Sequence, residues 1–156
     1  MTRLVVALGH PDRGDDAIGG LVAARLRAEP PPDCVITSVV NPLDLLDAWT
    51  GFEAVIVVDA IDAGVRPGAV SVVQEDALER LASASGTHDL GLGQVVSMAA
   101  SLGRRPQRLA VVGVQGAAFG VGQAPSPEAL AAVPEAAGVV RELLGRPHRS
   151  AGGFGP

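Results

Sequence analysis

The chain has 156 residues, 47% of them hydrophobic, which is ample material for one buried core in a single domain. Its 12 basic against 17 acidic side chains leave a net charge of −5, so it carries no electrostatic footprint for a phosphate backbone or an anionic membrane surface. A lone cysteine, Cys34, excludes an internal disulfide and any multi-cysteine metal cluster.

In chain order, the first element is an apolar strand, Leu4 to Leu8, which is far too short for the apolar segment of a signal peptide. A glycine-punctuated loop follows, with Asp12, Asp15 and Asp16. Ile18, Leu21, Val22, Arg25 and Leu26 then keep a spacing of three to four residues, which predicts a helix with Asp15 or Asp16 near its cap. A second strand is expected over Val35–Val40, with the Cys34 thiol buried and inert at its start. Asn41-Pro42 is a cap followed by proline at the first helical position, so a short helix follows through LDLLDAW.

The valine-rich run Ala54–Val58 is the third strand and Leu109–Val114 another, with Ala69–Val73 a weaker strand after the turn GVRPG. Continuous apolar runs of this kind suit strands covered on both faces. A helix is predicted from about Asp89 to Leu102, ending at Gly103, and a last one from the Ser126-Pro127 cap to Leu144, kinked or split at Pro134. Strands alternating with helices imply an α/β fold: a three-layer α/β/α sandwich around a mostly parallel twisted sheet of about five strands, one of them antiparallel across the short GVRPG connection. One domain spans residues 1–145, and the glycine-rich segment 146–156, which holds His148, is expected to be a disordered tail. No apolar run approaches the length of about 20 residues needed to span a membrane. A soluble, cytoplasmic and monomeric protein is expected.

In an open α/β sheet, ligands bind beyond the carboxyl ends of the strands. Asp16 follows the first strand and Asp59 closes the third, while His88, in GTHDLGLG, precedes a helix that can face the same edge. Two carboxylates and an imidazole suit a divalent first-row metal that keeps positions open for outside ligands. The same trio without metal suits general acid–base work. Each residue also has a plainer reading: helix capping for one of Asp15 and Asp16, a turn cap for Asp59, a surface or capping position for His88. His10 and Arg13 share the acidic loop and are candidates for substrate contact, and Asp62 and Asp89 stand close to Asp59 and His88 as supporting groups or exposed ones. Gly9, Gly14 and Gly19 do not make the GxGxxG dinucleotide pattern, and Gly9 and Gly14 serve instead for tight turning and close approach of a bound peptide.

Four segments, LGHPDRGDDAIG, VIVVDAIDAG with the following PGAV, THDLGLGQVVSMAASLG and LAVVGVQ, resemble the hydrogenase maturation proteases in order and spacing, and SPEALAAVPEA is similar to that family's final helix. The resemblance implies an endopeptidase that removes a C-terminal peptide from the large-subunit precursor of a nickel–iron hydrogenase. It places Asp16, Asp59 and His88 at the family's metal-contacting and catalytic positions, where they engage nickel already inserted in the precursor. Nickel is thus supplied by the substrate, and no resident cofactor is implied. The chain departs from the family at Ala7 and His10, where a GxGN loop has glycine and asparagine, and at Gly113-Val114-Gln115, where Gly-Ile-Glu is common. His10 could add a metal contact. The departures keep open a non-proteolytic nickel-binding chaperone or checkpoint module. A faint similarity of ALGHPD to the GLGNPG loop of peptidyl-tRNA hydrolases is opposed by the acidic balance.

Overall fold

Valine and isoleucine, stiff at χ1 and shaped for a pleated surface, dominate the runs that become strands. The computed structural model describes residues 2–74, 77–78 and 91–146. It contains the strands β1 (Arg3–Leu8), β2 (Cys34–Val39), β3 (Ala54–Ile61), β4 (Val70–Gln74) and β5 (Arg108–Gln115). They form one sheet in the order β2-β1-β3-β5-β4, with every pair parallel except β4–β5. The antiparallel strand expected after the GVRPG turn is therefore β4, and it lies at an edge.

Helices α1 (Ile18–Ala28) and α4 (Pro127–Gly145) cover one face of the sheet, where Ile18, Val22 and Leu26 and the alanine-rich stripe of α4 meet Val5, Ile56, Val58, Val112 and Val114. Helices α2 (Leu45–Ala48) and α3 (Leu92–Ser101) cover the other, where Leu45, Val95, Val96 and Ala99 join Trp49 and Leu78 against Leu4, Val6, Val55, Val57 and Val111. The alternation of strand side chains between these two clusters is the period of two of an extended chain, which makes a three-layer α/β/α sandwich of the predicted elements. Trp49 is buried among them and donates its indole N–H to the Arg104 carbonyl at 2.9 Å.

Several expectations need correction. β2 is an edge strand with half-buried and exposed positions, so it is not covered on both faces, and Cys34 is half-buried. Burial still pushes its thiol pKa up, against the nearby charge of Arg3, so it is held protonated. The Asn41-Pro42 cap opens a 3-10 turn, Pro42–Asp44, in which the Asn41 side chain accepts from the Leu43 N–H before α2 begins. Helix α3 starts at Leu92 with Gly91 at its N-cap, later than the predicted Asp89, which lies outside the described residues, as does the segment 147–156. Helix α4 is not split by Pro134. Pro134 stands on the exposed side, while Ala129, Ala132, Ala136, Ala137, Val140 and Leu144 keep the opposite stripe packed.

Chain order and sheet order together mark one position. After β1 the chain moves outward to β2, then returns past β1 to β3. The carboxyl ends of β1 and β3 therefore flank the topological switch point, where an open sheet leaves a crevice between connections that diverge.

Candidate active site

The loop after β1 turns back on itself within a few residues. Gly9, at φ 141°, sits so close to the Asp16 carbonyl that a Cβ would collide with it, and Gly14, at φ 54°, is pressed equally hard against the Ala118 carbonyl. Gly14–Ala17 forms a 3-10 turn leading into α1, and neither Asp15 nor Asp16 caps that helix through its side chain. Asp16 is instead half-buried, and its Oδ2 accepts from the His10 backbone N–H at 2.7 Å. His10 Nδ1 turns into its own loop and accepts from the Asp12 N–H at 3.2 Å.

Asp59 arrives from the neighbouring strand. The β1–β3 register pairs Ala7 with Val58, so Asp59 extends one residue beyond that last pair, at the lip where the acidic loop begins. Burial in the apolar end of β3 raises its pKa well above the ordinary aspartate value, the negative charge of Asp16 raises it further, and a hydrogen bond from the Ala60 amide opposes both more weakly. Two carboxylates predicted from separate segments are thus electrostatically coupled at the switch-point crevice. Burial and the Asp16 charge both act toward the protonated form of Asp59.

The structure gives Asp15 a different task from Asp16. It is 0% exposed. Its Oδ1 accepts from the Ser126 N–H at 2.5 Å, and its Oδ2 accepts from the N–H groups of Ala117 at 2.6 Å and Ala118 at 3.0 Å and from the Ser126 hydroxyl at 2.8 Å. Burial alone raises the pKa of this carboxyl, but the hydrogen bonds from Ala117, Ser126 and Ala118 outweigh it and bring the value below that of an ordinary aspartate. The partners of Asp15 lie in the connection from β5 to α4, a segment in which the sequence showed only the Ser126-Pro127 cap. Ser126 does cap α4, accepting from the Ala129 N–H at 3.3 Å.

Gln115 ends β5 almost fully buried, at 3% exposure. Its Oε1 accepts from the Ala63 N–H at 2.8 Å, and its Nε2 donates to the Gly116 carbonyl at 2.8 Å and to Asp62 Oδ1 at 3.3 Å. It therefore fastens the segment after β3 to the end of β5. Asp62, a candidate supporting group, is its exposed partner. His88 and Asp89 lie outside the described residues, and among the described residues no three His, Cys, Asp or Glu side chains converge to hold a metal ion.

A family model described as HycI, hydrogenase maturation protease, matches residues 24–142. The chain belongs to the hydrogenase maturation protease family. The matched stretch includes Asp59 and His88, and the acidic loop precedes it. Among relatives, the hydrogenase expression/formation protein HupD of Thiocapsa roseopersicina is 30% identical over 121 residues, which cover 72% of this chain and 53% of that protein. HupD of Bradyrhizobium diazoefficiens is 30% identical over 117 residues, covering 72% and 61%. The chain thus spans a little over half the length of these relatives. Among solved structures, the Escherichia coli hydrogenase maturating endopeptidase HybD superposes with a TM-score of 0.78 at 25% identity, over 92% of both chains. The Thermococcus kodakarensis nickel–iron hydrogenase maturation protease HycI gives 0.71 at 30% identity, over 93% of this chain and 94% of that one.

Proposed function

We propose that the protein is a cytoplasmic endopeptidase that removes the C-terminal peptide of a nickel-loaded hydrogenase large-subunit precursor, with the precursor's nickel as recognition element. The observation that carries this reading is the pairing of Asp16 and Asp59 across the switch-point crevice, in a chain of the maturation protease family. A carboxyl held protonated by burial and by a second carboxylate is a poor partner for water but a good one for a cation, because a metal ion displaces the proton and relieves the repulsion at once. Hard oxygen donors suit a divalent ion that retains other ligands, here those of the precursor, and His88 completes the set as a nitrogen donor. Asp16, fixed by the His10 amide, is the group placed to orient or deprotonate the attacking water. Holding the scissile segment beside that carboxylate is the main contribution of the protein to the reaction.

Gln115 bears on the alternative, a nickel-binding checkpoint module without proteolysis. Its side chain is directed at Ala63, Gly116 and Asp62, and it is too buried to meet a precursor. The departure from glutamate at this position is accounted for by packing, which leaves Ala7 and His10 as the departures at the loop itself. The test is to incubate the purified protein with nickel-loaded and nickel-free precursor and follow the mass of the large subunit. The expected result is loss of a C-terminal peptide from the loaded form alone, and no loss with Asp16→Asn. Binding of loaded precursor with no peptide release would establish the checkpoint module instead.

A further inference from the structure

We propose that Asp15 is a positioning residue for the site: by gripping Ala117, Ala118 and Ser126 it locks the Gly14–Ala17 turn, so that the adjoining Asp16 carboxylate is held at the crevice between β1 and β3. This rests on the role given to Asp16 above. The geometry favours a clamp over a second site carboxylate, because both oxygens of Asp15 are engaged inside the protein by three backbone N–H groups and one hydroxyl.

The backbone around it is bonded in the same sense. The Asp15 N–H donates to the Ala118 carbonyl at 2.7 Å, the Gly14 N–H to the Gln123 carbonyl at 3.0 Å, and the Gly122 N–H returns to the Asp12 carbonyl at 2.7 Å. The acidic loop and the β5–α4 connection are thus zipped from both sides. There is no slack in the joint: a Cβ at Gly116 would lie 2.9 Å from the Asp15 Cβ.

Placing a carboxylate at zero exposure carries a desolvation penalty that its hydrogen bonds must first offset, so a buried charge is a weak device for stability alone. It is a strong device for geometry. One carboxylate fixes four donors at once, and the direction of Asp16 follows from the backbone angles of the residue that the clamp immobilises. The immediate reporter is the His10 N–H, which donates to Asp16 Oδ2.

The test compares wild type with Asp15→Asn, in which an amide NH2 meets donors where an acceptor is required, and Ser126→Ala, which removes the hydroxyl's bond to Asp15 and its cap on the Ala129 N–H and leaves the three backbone donors to Asp15 in place. Val140→Ala, in the core between α4 and the sheet, serves as a destabilised control. Three quantities are measured: kcat and KM on nickel-loaded precursor, native-state exchange of the His10 amide by NMR, and the melting temperature. Asp15→Asn is expected to lower kcat by about 10²-fold, the cost of a misplacement near 1 Å, with KM within about threefold. His10 exchange is expected to accelerate at least about tenfold, with Ser126→Ala intermediate in both and Val140→Ala at wild-type exchange. If Asp15→Asn lowers the melting temperature but leaves kcat or His10 exchange at wild-type values, the clamp is only structural and the proposal is overturned. It is overturned equally if Asp15→Asn fails to fold and Ser126→Ala moves neither quantity. A wild-type protein that leaves loaded precursor uncut overturns the proteolytic reading instead, and His10 exchange then decides the clamp by itself.

Discussion

Helix α1 contains two adjacent glycines whose replacement by alanine should shift stability in opposite directions. At Gly19 a Cβ would lie 2.7 Å from the Val58 carbonyl oxygen and 2.8 Å from that of Leu8, whereas at Gly20 it would meet nothing within 4 Å. Alanine gains up to about 1 kcal/mol over glycine in a helix at either position. At Gly20 nothing opposes that gain, and the melting temperature should rise by about 1–4 °C for a chain of this size. At Gly19 relief of both contacts requires α1 to retreat by about 0.6 Å, which forfeits a quarter to a half of the dispersion energy of its contacts with the sheet. Ile18, Val22, Ala23 and Leu26 are the side chains that lose it. Overpacking of this kind costs about 1–3 kcal/mol, so Gly19→Ala should be destabilised on balance by about 1–2 kcal/mol, or about 2–8 °C. Urea denaturation read by far-UV circular dichroism, with the slope held in common, measures both. A Gly19→Ala protein as stable as wild type would refute the close approach of α1 to β1 and β3, and with it the placement of the acidic loop beside Asp59.

Asp59→Asn should stabilise the free protein at neutral pH while abolishing precursor cleavage. Because folding raises the Asp59 pKa, the folded state binds its proton more tightly than the unfolded chain does. Wild-type stability should therefore fall as pH rises from the unfolded aspartate value through the folded one, and the Asn variant should lack that decline when melting temperature is followed against pH. Asp15 has the opposite sign: its folded pKa is lowered, so its contribution is present above the ordinary aspartate value and is lost as pH falls through the folded one, an acid limb that Ser126→Ala should shift upward in pH. Gln115→Glu would set a buried carboxylate against Asp62 and the Gly116 carbonyl. It should cost about 1–3 kcal/mol at pH 8 and less at pH 5, where a shared proton restores a donor, as equilibrium unfolding at the two values would show.

The strands were legible because each apolar run reports its own burial: β1, β3 and β5 lie inside the sheet and read as unbroken valine-rich segments. β2 reads almost the same in composition yet stands at the edge, since sheet order is decided by connections that no local pattern encodes. Asp16 and Asp59 were legible as charges placed where an apolar strand ends. The sequence favours Asp16 for metal contact and leaves Asp15 to support the loop or cap the helix; the structure turns Asp15 inward onto the β5–α4 connection and gives it no cap. Its partners there, Ala117, Ala118 and Ser126, carry ordinary side chains in a loop of ordinary composition, and all three act through backbone N–H groups that nearly every residue has, Ser126 adding its hydroxyl. Pro134 misled in the other direction: its cost was counted without the exposed side of α4 to absorb it.

The bonds from Asp15 to Ala117, Ala118 and Ser126 close loops of more than 100 residues, with sequence separations of 102, 103 and 111. Contacts this distant form late, because a long stretch of chain must be gathered before they return any energy. During synthesis the first strands and α1 emerge well before residue 117, so the acidic loop exists for some time as a segment with no fixed shape. A truncated product that ends before Ala117 would contain Asp16 and Asp59 in full and still lack the donors that hold Asp15. Under the clamp proposed above, completing the β5–α4 connection acts as a safeguard, since Asp16 takes up its working direction only once those donors are in place.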